Sequence, residues 1–231
     1  MADIHIYAKP PSLYRYRPLG EKAERELKAM VEGYIHCSPY SKLNDPMEGK
    51  HRLSLRFQKN PNHEKRQVQI RRAFNAMGIA SFSETYDHEP MWAHYADFFE
   101  GMCVEYNLKR LITGLDSSVA ITRMMYSEKE PVLLNDGSSA LDRARLCLSS
   151  KTVRWASERE WRIFIEENGQ ARYQKLRTVT KIFLGSRVSE QDQARVCVAA
   201  RRLNIPVSKM VVDAYSLNFK TLQAAVRRKP K

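Results

Sequence analysis

Glycine is scarce, at 9 residues in 231, and no Gly-x-Gly-x-x-Gly occurs, so the phosphate-cradling turn of a Rossmann-type cofactor site is excluded. The 4 cysteines, Cys37, Cys103, Cys147 and Cys197, stand singly with no Cys-x-x-Cys pair. That spacing excludes a disulfide-stapled small domain and a cysteine zinc site, and it fits a reducing compartment. No apolar run approaches the roughly 20 residues a spanning helix needs, and the N-terminus lacks a basic-then-apolar signal pattern. A soluble, cytoplasmic protein without membrane contact is expected. Acids are in deficit too, 26 against 39 lysines and arginines, and the resulting charge of +13 favours a polyanionic partner, RNA or DNA. Repeats, low-complexity stretches and Gly/Ser linkers are also lacking, which predicts one domain over residues 1–231 with a frayed basic tail at about 226–231. A chain of this length buries roughly 70% of its unfolded surface and needs no metal to fold.

What is present alternates between strand and helix signals. Ser12 to Arg17 reads as a strand stopped by Pro18, Glu21 to Val31 as a helix stopped by Gly33, and Tyr34 to Ser38 as a second strand. Residues 39 to 49, with Asn44, Asp45, Pro46 and Gly49, form an ordered turn whose acids belong outside the core. The polar, basic stretch Lys59 to Phe74 predicts a surface helix started at Pro61, and a strand over Ile79 to Phe82 follows. Met91, Trp92, Tyr95 and Phe99 recur at helical spacing before Gly101, and a strand over Met102 to Tyr106 comes next. Further strands are predicted over about Val119 to Tyr126, Trp161 to Ile165, Val179 to Leu184 and Val207 to Ala214. A helix runs through Leu141, Ala144 and Leu148, and another from a Ser189 cap to about Leu203. Short strands without a strict βαβ rhythm predict an α+β fold, a split mixed sheet flanked by helices.

The polar residues concentrate in short blocks: Tyr14-Arg15-Tyr16-Arg17, Asn44-Asp45-Pro46-x-Glu48, Ser81-Phe82-Ser83-Glu84, Met91-Trp92-Ala93-His94-Tyr95-Ala96-Asp97, and Trp155-x-x-Glu158-x-Glu160-Trp161-Arg162. The series resembles the bacterial family called domain of unknown function 2971, over about Leu13 to Val188. More distantly it is similar to ADP-ribosyltransferases, which place an Arg or His on a first strand, a Ser-x-Ser or Tyr element next, and a late Glu-x-Glu. That resemblance implies an ADP-ribosyltransferase-like fold and NAD as substrate. It also implies a macromolecular acceptor, nucleic acid among the options, in a toxin or phage-defence setting. Glu160 and Glu158 would be catalytic. Tyr14, Arg15, Tyr16 and Arg17 would serve the phosphates or riboses, Ser81 and Ser83 the carboxamide side, and Trp92 and Tyr95 a ring; no metal is implied.

The residue types suit that chemistry, because breaking a nicotinamide-ribose bond develops positive charge that a fixed carboxylate stabilises. On a strand, Glu158 and Glu160 share one face. Alternation likewise pairs Tyr14 with Tyr16 and Arg15 with Arg17, and leaves open which pair faces a cleft. Plainer readings stand beside these: Glu158 and Glu160 as an exposed ion-pair stretch, the aromatic residues as core, and Ser81 and Ser83 as strand punctuation. Two other functions compete. A metal-dependent nuclease would use Asp45, Glu48 and Lys50. A non-enzymatic nucleic-acid module would use Arg66, Arg71, Arg72, Arg201, Arg202 and the tail.

Overall fold

Leu13, Arg15 and Arg17 alternate with Tyr14 and Tyr16 at strand spacing. In the computed structural model, which describes residues 9–174 and 176–223, they form the strand Ser12–Arg17. The fold is α+β, with mixed but mostly antiparallel strands flanked by helices. The chain divides into two compact units. One comprises Met1–Gly33, Ser83–Gly114 and Tyr173–Lys231, the other Tyr34–Phe82 and Leu115–Arg172.

In the first unit the strands Ser12–Arg17, Met102–Asn107, Val179–Leu184, Val207–Asp213 and Ser216–Gln223 lie side by side in that order. All neighbours are antiparallel except Val179–Leu184 and Val207–Asp213, a parallel pair that needs a crossover and receives it from the helix Glu190–Leu203. Ser189 starts that helix as expected, its Oγ accepting the Asp192 N–H at 3.1 Å. The helix Ala23–Glu32 ends where Gly33 takes φ 74°, again at the predicted stop. The hairpin strand Ser216–Gln223 had no counterpart in the sequence reading, and the basic tail lies outside the described residues.

One face of Ser12–Arg17 supports an aromatic core. Tyr16 meets Trp92 edge-on at 5.2 Å, while Tyr86 stacks on Phe183 at 4.3 Å. The helix carrying Trp92 spans only Glu89–Tyr95, shorter than its apolar spacing suggested. Asp97, Phe98 and Phe99 follow it with φ of 48°, 49° and 72°, a left-handed run that no α-helix can contain. The turn is clamped: Gly185 donates to Gly101 O at 3.0 Å and Arg187 to Phe99 O at 3.1 Å. A Cβ on Gly185 would overlap the Phe99 carbonyl, a backbone atom that cannot swing aside. Gly185→Ala is therefore expected to lower unfolding stability by at least about 2 kcal/mol, read as a denaturant-midpoint shift at unchanged slope.

In the second unit, Gly169–Arg172 pairs with Tyr34–Pro39 and Tyr34–Pro39 with Gly78–Ser83, both antiparallel. Glu160–Ile165 pairs with Gly78–Ser83 and, antiparallel, with Ala120–Arg123. Two short parallel pairs are added, Arg52–Leu53 with Val132–Leu133 and Met125–Ser127 with Ser150–Thr152. The strand expected over 119 to 126 is thus two strands broken at Met124, whose N–H is taken by Glu160 O at 2.9 Å. The helices His63–Ala76 and Ala140–Leu148 pack together over Phe57, Phe74, Met77, Leu148 and Phe164. Among the described residues no helix is long and apolar enough to cross a membrane.

Candidate functional site

A buried charge network forms inside the second unit. A helix ends on carbonyls that lack intrahelical donors, and the Leu148 carbonyl of Ala140–Leu148 accepts from Arg162 Nη1 at 2.8 Å. Arg162 shares a strand face with Glu160 by the period of 2. Its Nε donates to Glu160 Oε1 at 2.6 Å, and its Nη1 donates to Glu48. Arg162 is only 1% exposed, so its charge has no solvent to lean on and requires these carboxylates.

Glu48 is delivered by the turn that the sequence predicted. Asp45 Oδ1 accepts the Met47 N–H at 2.9 Å, Glu48 N–H donates to Asp45 O at 3.1 Å, and Gly49 reverses the chain at φ 74°. The expectation that these acids lie outside the core is overturned, since Asp45 and Glu48 are 5% and 2% exposed. The countercharge on Arg162 is what makes burial of Glu48 tolerable.

Lys151, on Ser150–Thr152, joins the remaining acids. Its Nζ lies 2.6 Å from Glu158 Oε2, 3.3 Å from Glu160 Oε2 and 4.3 Å from the Trp155 ring centroid. Tyr126, opposite Lys151 in the parallel pair, accepts the Glu160 N–H on its hydroxyl at 2.7 Å. Glu158 and Glu160 do converge, but not as alternate residues of one strand. Glu158 ends a 3-10 turn, Arg159 is left-handed at φ 46°, and only Glu160 begins the strand, so the backbone twist at Arg159 aims both carboxylates at one lysine. Neither is part of an exposed ion-pair stretch, with exposures of 5% and 4%.

Three carboxylates, Glu48, Glu158 and Glu160, face two cations, Lys151 and Arg162, leaving one surplus negative charge in a dry setting. The two ends of the network respond oppositely. Burial alone would push the Glu160 carboxyl up, but Arg162, Lys151 and a hydrogen bond from Ser81 hold it below the usual carboxylate range. Burial pushes Glu48 above that range, outweighing Arg162. The network thus favours the ionised form of Glu160 and the protonated form of Glu48 relative to free carboxyls. Ser81 is the single exposed residue of its strand and hydrogen-bonds the buried Glu160.

Glu48 and Lys151 also line a cavity of about 380 Å³, with Asp45, Lys50, His51 and Thr152 among the other walls. That is within the size of small-molecule sites. Arg162 Nη1 binds one oxygen of Glu48, so within the nuclease grouping of Asp45, Glu48 and Lys50 that carboxylate is already ion-paired to an arginine. Among the described residues no group of three or more His, Cys, Asp or Glu side chains is disposed to hold a metal ion.

The other predicted residues lie in the first unit, where most are committed to its packing. Trp92 is fully buried, donating Nε1–H to Tyr86 O at 2.8 Å, so it is core and not a ring platform. Tyr95 is half-buried against the same core. Ser83 is buried and accepts the Thr85 N–H at 3.1 Å. Tyr14 and Tyr16 occupy one strand face, their hydroxyls donating to Glu105 Oε1 at 3.2 Å and Thr85 O at 3.0 Å. Arg15 and Arg17 take the opposite face: Arg15 is buried, and Arg17 forks onto Glu26 at 2.7 and 2.6 Å. The Arg17 fork replaces the phosphate contact that the sequence suggested.

Burial would raise Glu26, but Arg17 and Arg25 hold it at about 2, against an ordinary 4.5. A folded value below the unfolded one means stability that is fully present above pH 4.5 and lost as pH falls towards 2. With Arg25 partly solvated, Glu26→Gln is expected to remove on the order of 2 kcal/mol at neutral pH and to flatten the acid limb of stability between about pH 4.5 and 2, measured by urea unfolding.

Arg71, Arg72, Arg201 and Arg202 are exposed as expected, whereas Arg66 is half-buried and donates to Asn135 Oδ1 at 2.7 Å. Sequence reasoning missed Lys151, Tyr126 and the central place of Arg162. For Arg162 the signal existed, since it stands two residues from Glu160 in a strand. For Lys151 and Tyr126, pairing across 25 residues of chain gave none.

Residues 91–163 match the model of a family described as protein of unknown function (DUF2971), which supports the resemblance drawn from the motifs. The matched span contains Lys151, Glu158, Glu160 and Arg162. No curated protein and no solved structure matches the chain.

Proposed function

We propose that the protein is an ADP-ribosyltransferase-like enzyme that consumes NAD⁺ and modifies a macromolecule, with Glu160 as the fixed carboxylate of its site. The observation that carries this reading is the convergence of Glu158, Glu160 and Ser81 from separate segments, with Glu160 held ionised in a nearly dry setting. In the reaction, the bond between nicotinamide and ribose C1′ breaks and its electron pair leaves on nicotinamide. The positive charge developing on the ribose is what an ionised Glu160 stabilises. The acceptor oxygen or nitrogen then bonds C1′, and its proton passes to Glu158. Ser81, exposed beside Glu160, supplies a hydroxyl for the nicotinamide carboxamide or a ribose oxygen. Arg162 and Lys151 fix Glu160 without touching substrate and so act as positioning residues.

A net charge of +13 favours RNA or DNA as acceptor over an acidic metabolite. The test is incubation with NAD⁺ labelled in its adenylate half together with RNA, DNA or a protein mixture. Label should appear on one class of acceptor in step with nicotinamide release, and EDTA should leave the rate unchanged. Absence of nicotinamide release with all three acceptors sinks the proposal, and chelator-sensitive cleavage of nucleic acid would replace it with the nuclease.

A further inference from the structure

The positive charge of the chain is unevenly spread. Residues 55–76 hold six cations, Arg56, Lys59, Lys65, Arg66, Arg71 and Arg72, against the single acid Glu64, which places +5 of the chain's +13 in one short stretch. The helix His63–Ala76 orders most of it. Ile70 and Phe74 bury the inner side of that helix in the core shared with Ala140–Leu148. Lys65, Val68 and Arg72, spaced by three and then four residues, therefore fall on the outer side, with Arg71 at its flank. Lys65, Arg71 and Arg72 are exposed, and among the described residues their side chains form no ion pair. Several other exposed cations have an acid at hand, as Arg25 has Glu26, Arg52 has Glu130 and Arg195 has Asp192. Arg66 is spent on structure, since it and Asn60 both donate to Asn135 Oδ1, at 2.7 and 3.3 Å.

Unpaired cations on one face make it a seat for a polyanion. The nearest acids in the chain bound the face without pairing with it: Glu64 lies in the first turn, and Glu166 and Glu167 precede Asn168, whose N–H meets Ala76 O at 2.9 Å. The makeup of the face narrows the kind of polyanion. Val68 is the one large apolar side chain exposed on the helix, too little for a lipid surface to bury. Phe74 is its one Phe, Tyr or Trp and is buried, so the bases of a single strand have no ring to stack on. A helix of 14 residues is about 21 Å long. The major groove of B-form DNA is wide enough to seat such a helix, whereas that of duplex RNA is deep and narrow.

We propose that the outer face of His63–Ala76 binds the backbone of double-stranded DNA, with Lys65, Arg71 and Arg72 on its phosphates. The inference deepens the acceptor reading given above and rests on it for a place in the reaction. Binding is measured without NAD⁺, so its failure and a failure of transfer are separate results. Fluorescence anisotropy of the full-length protein with a labelled mixed-sequence duplex should show saturable binding. The logarithm of the affinity should fall by about 0.9 per log unit of salt for each phosphate neutralised. Lys65→Gln, Arg71→Gln and Arg72→Gln combined keep good helix formers at exposed positions, and should lower affinity at least about 10-fold and flatten the salt slope by about 2–3. Should that variant prove unfolded by circular dichroism, Arg71→Gln with Arg72→Gln is the second, expected to flatten the slope by about 2. A charge-matched control in the first unit, Lys22→Gln with Lys109→Gln and Arg202→Gln, should stay within about 2-fold of the parent at about 0.15 M salt, where charges away from the contact are screened. Absence of duplex binding, or equal or tighter binding of single-stranded DNA, duplex RNA or anionic lipid vesicles, would overturn the proposal. A control that loses as much affinity as the helix variant would also overturn it, by assigning the binding to net charge alone.

Discussion

Glu160→Gln is expected to reduce NAD⁺ consumption by at least about 100-fold, the scale of losing one preorganised electrostatic group at a developing charge. The difficulty is that Glu160 is also a structural anion. Its Oε1 takes Arg162 Nε at 2.6 Å and its Oε2 lies 3.3 Å from Lys151 Nζ, so an amide in its place turns an N–H donor towards another donor. Lost activity in the single variant would therefore mix chemistry with stability. Pairing it with Lys151→Met removes one positive and one negative charge together and leaves the network's surplus unchanged. The decisive comparison is the double variant against Lys151→Met alone, both shown to be folded by circular dichroism. If the double variant retains the rate of Lys151→Met, Glu160 is no part of the reaction; a further fall of about 100-fold with matched stability assigns it the role proposed.

Local chemistry in the sequence predicted elements well where one residue type decides the outcome. Gly33 ends its helix in a left-handed conformation, Ser189 caps its own, and Tyr14 and Tyr16 separate from Arg15 and Arg17 onto opposite strand faces. Prediction failed where a distant segment supplies the reason. The acids of the 44–50 turn look like surface residues until Arg162, more than a hundred positions later, is seen to need a buried countercharge. For Trp92 the sequence left core and ring platform both open, and the enclosure by Tyr16 and Phe99 that decides for core comes from another strand and a left-handed turn. The pairing of Glu158 with Glu160 was legible but its cause was not, because a left-handed Arg159 cannot be read from a Glu-Arg-Glu string. The cavity was illegible for the same reason, since its walls come from three stretches of chain that share no pattern.

Arg162→Met should be the most destabilising single change in the second unit, costing about 3–5 kcal/mol at neutral pH. Methionine fills much of the space that the arginine stem occupies, so the loss is electrostatic: Glu48 loses its cation, Glu160 loses one of two, and the Leu148 carbonyl loses its donor. That cause has a signature in pH. Without Arg162 the folded-state values of both glutamates rise above the ordinary 4.5. A raised folded value confers stability that is fully present below the unfolded value and lost as pH climbs through the folded one. The deficit of the variant should therefore shrink on acidification from pH 8 towards pH 5, by on the order of 1–2 kcal/mol, as the stranded carboxyls take up protons. Urea unfolding of both proteins at the two pH values reads this directly. A deficit independent of pH would mean that the arginine acts through packing and the carbonyl bond alone. Adding Glu48→Gln to Arg162→Met provides the complementary check, because removing the stranded charge should recover part of the lost stability if the network is held together by charge balance.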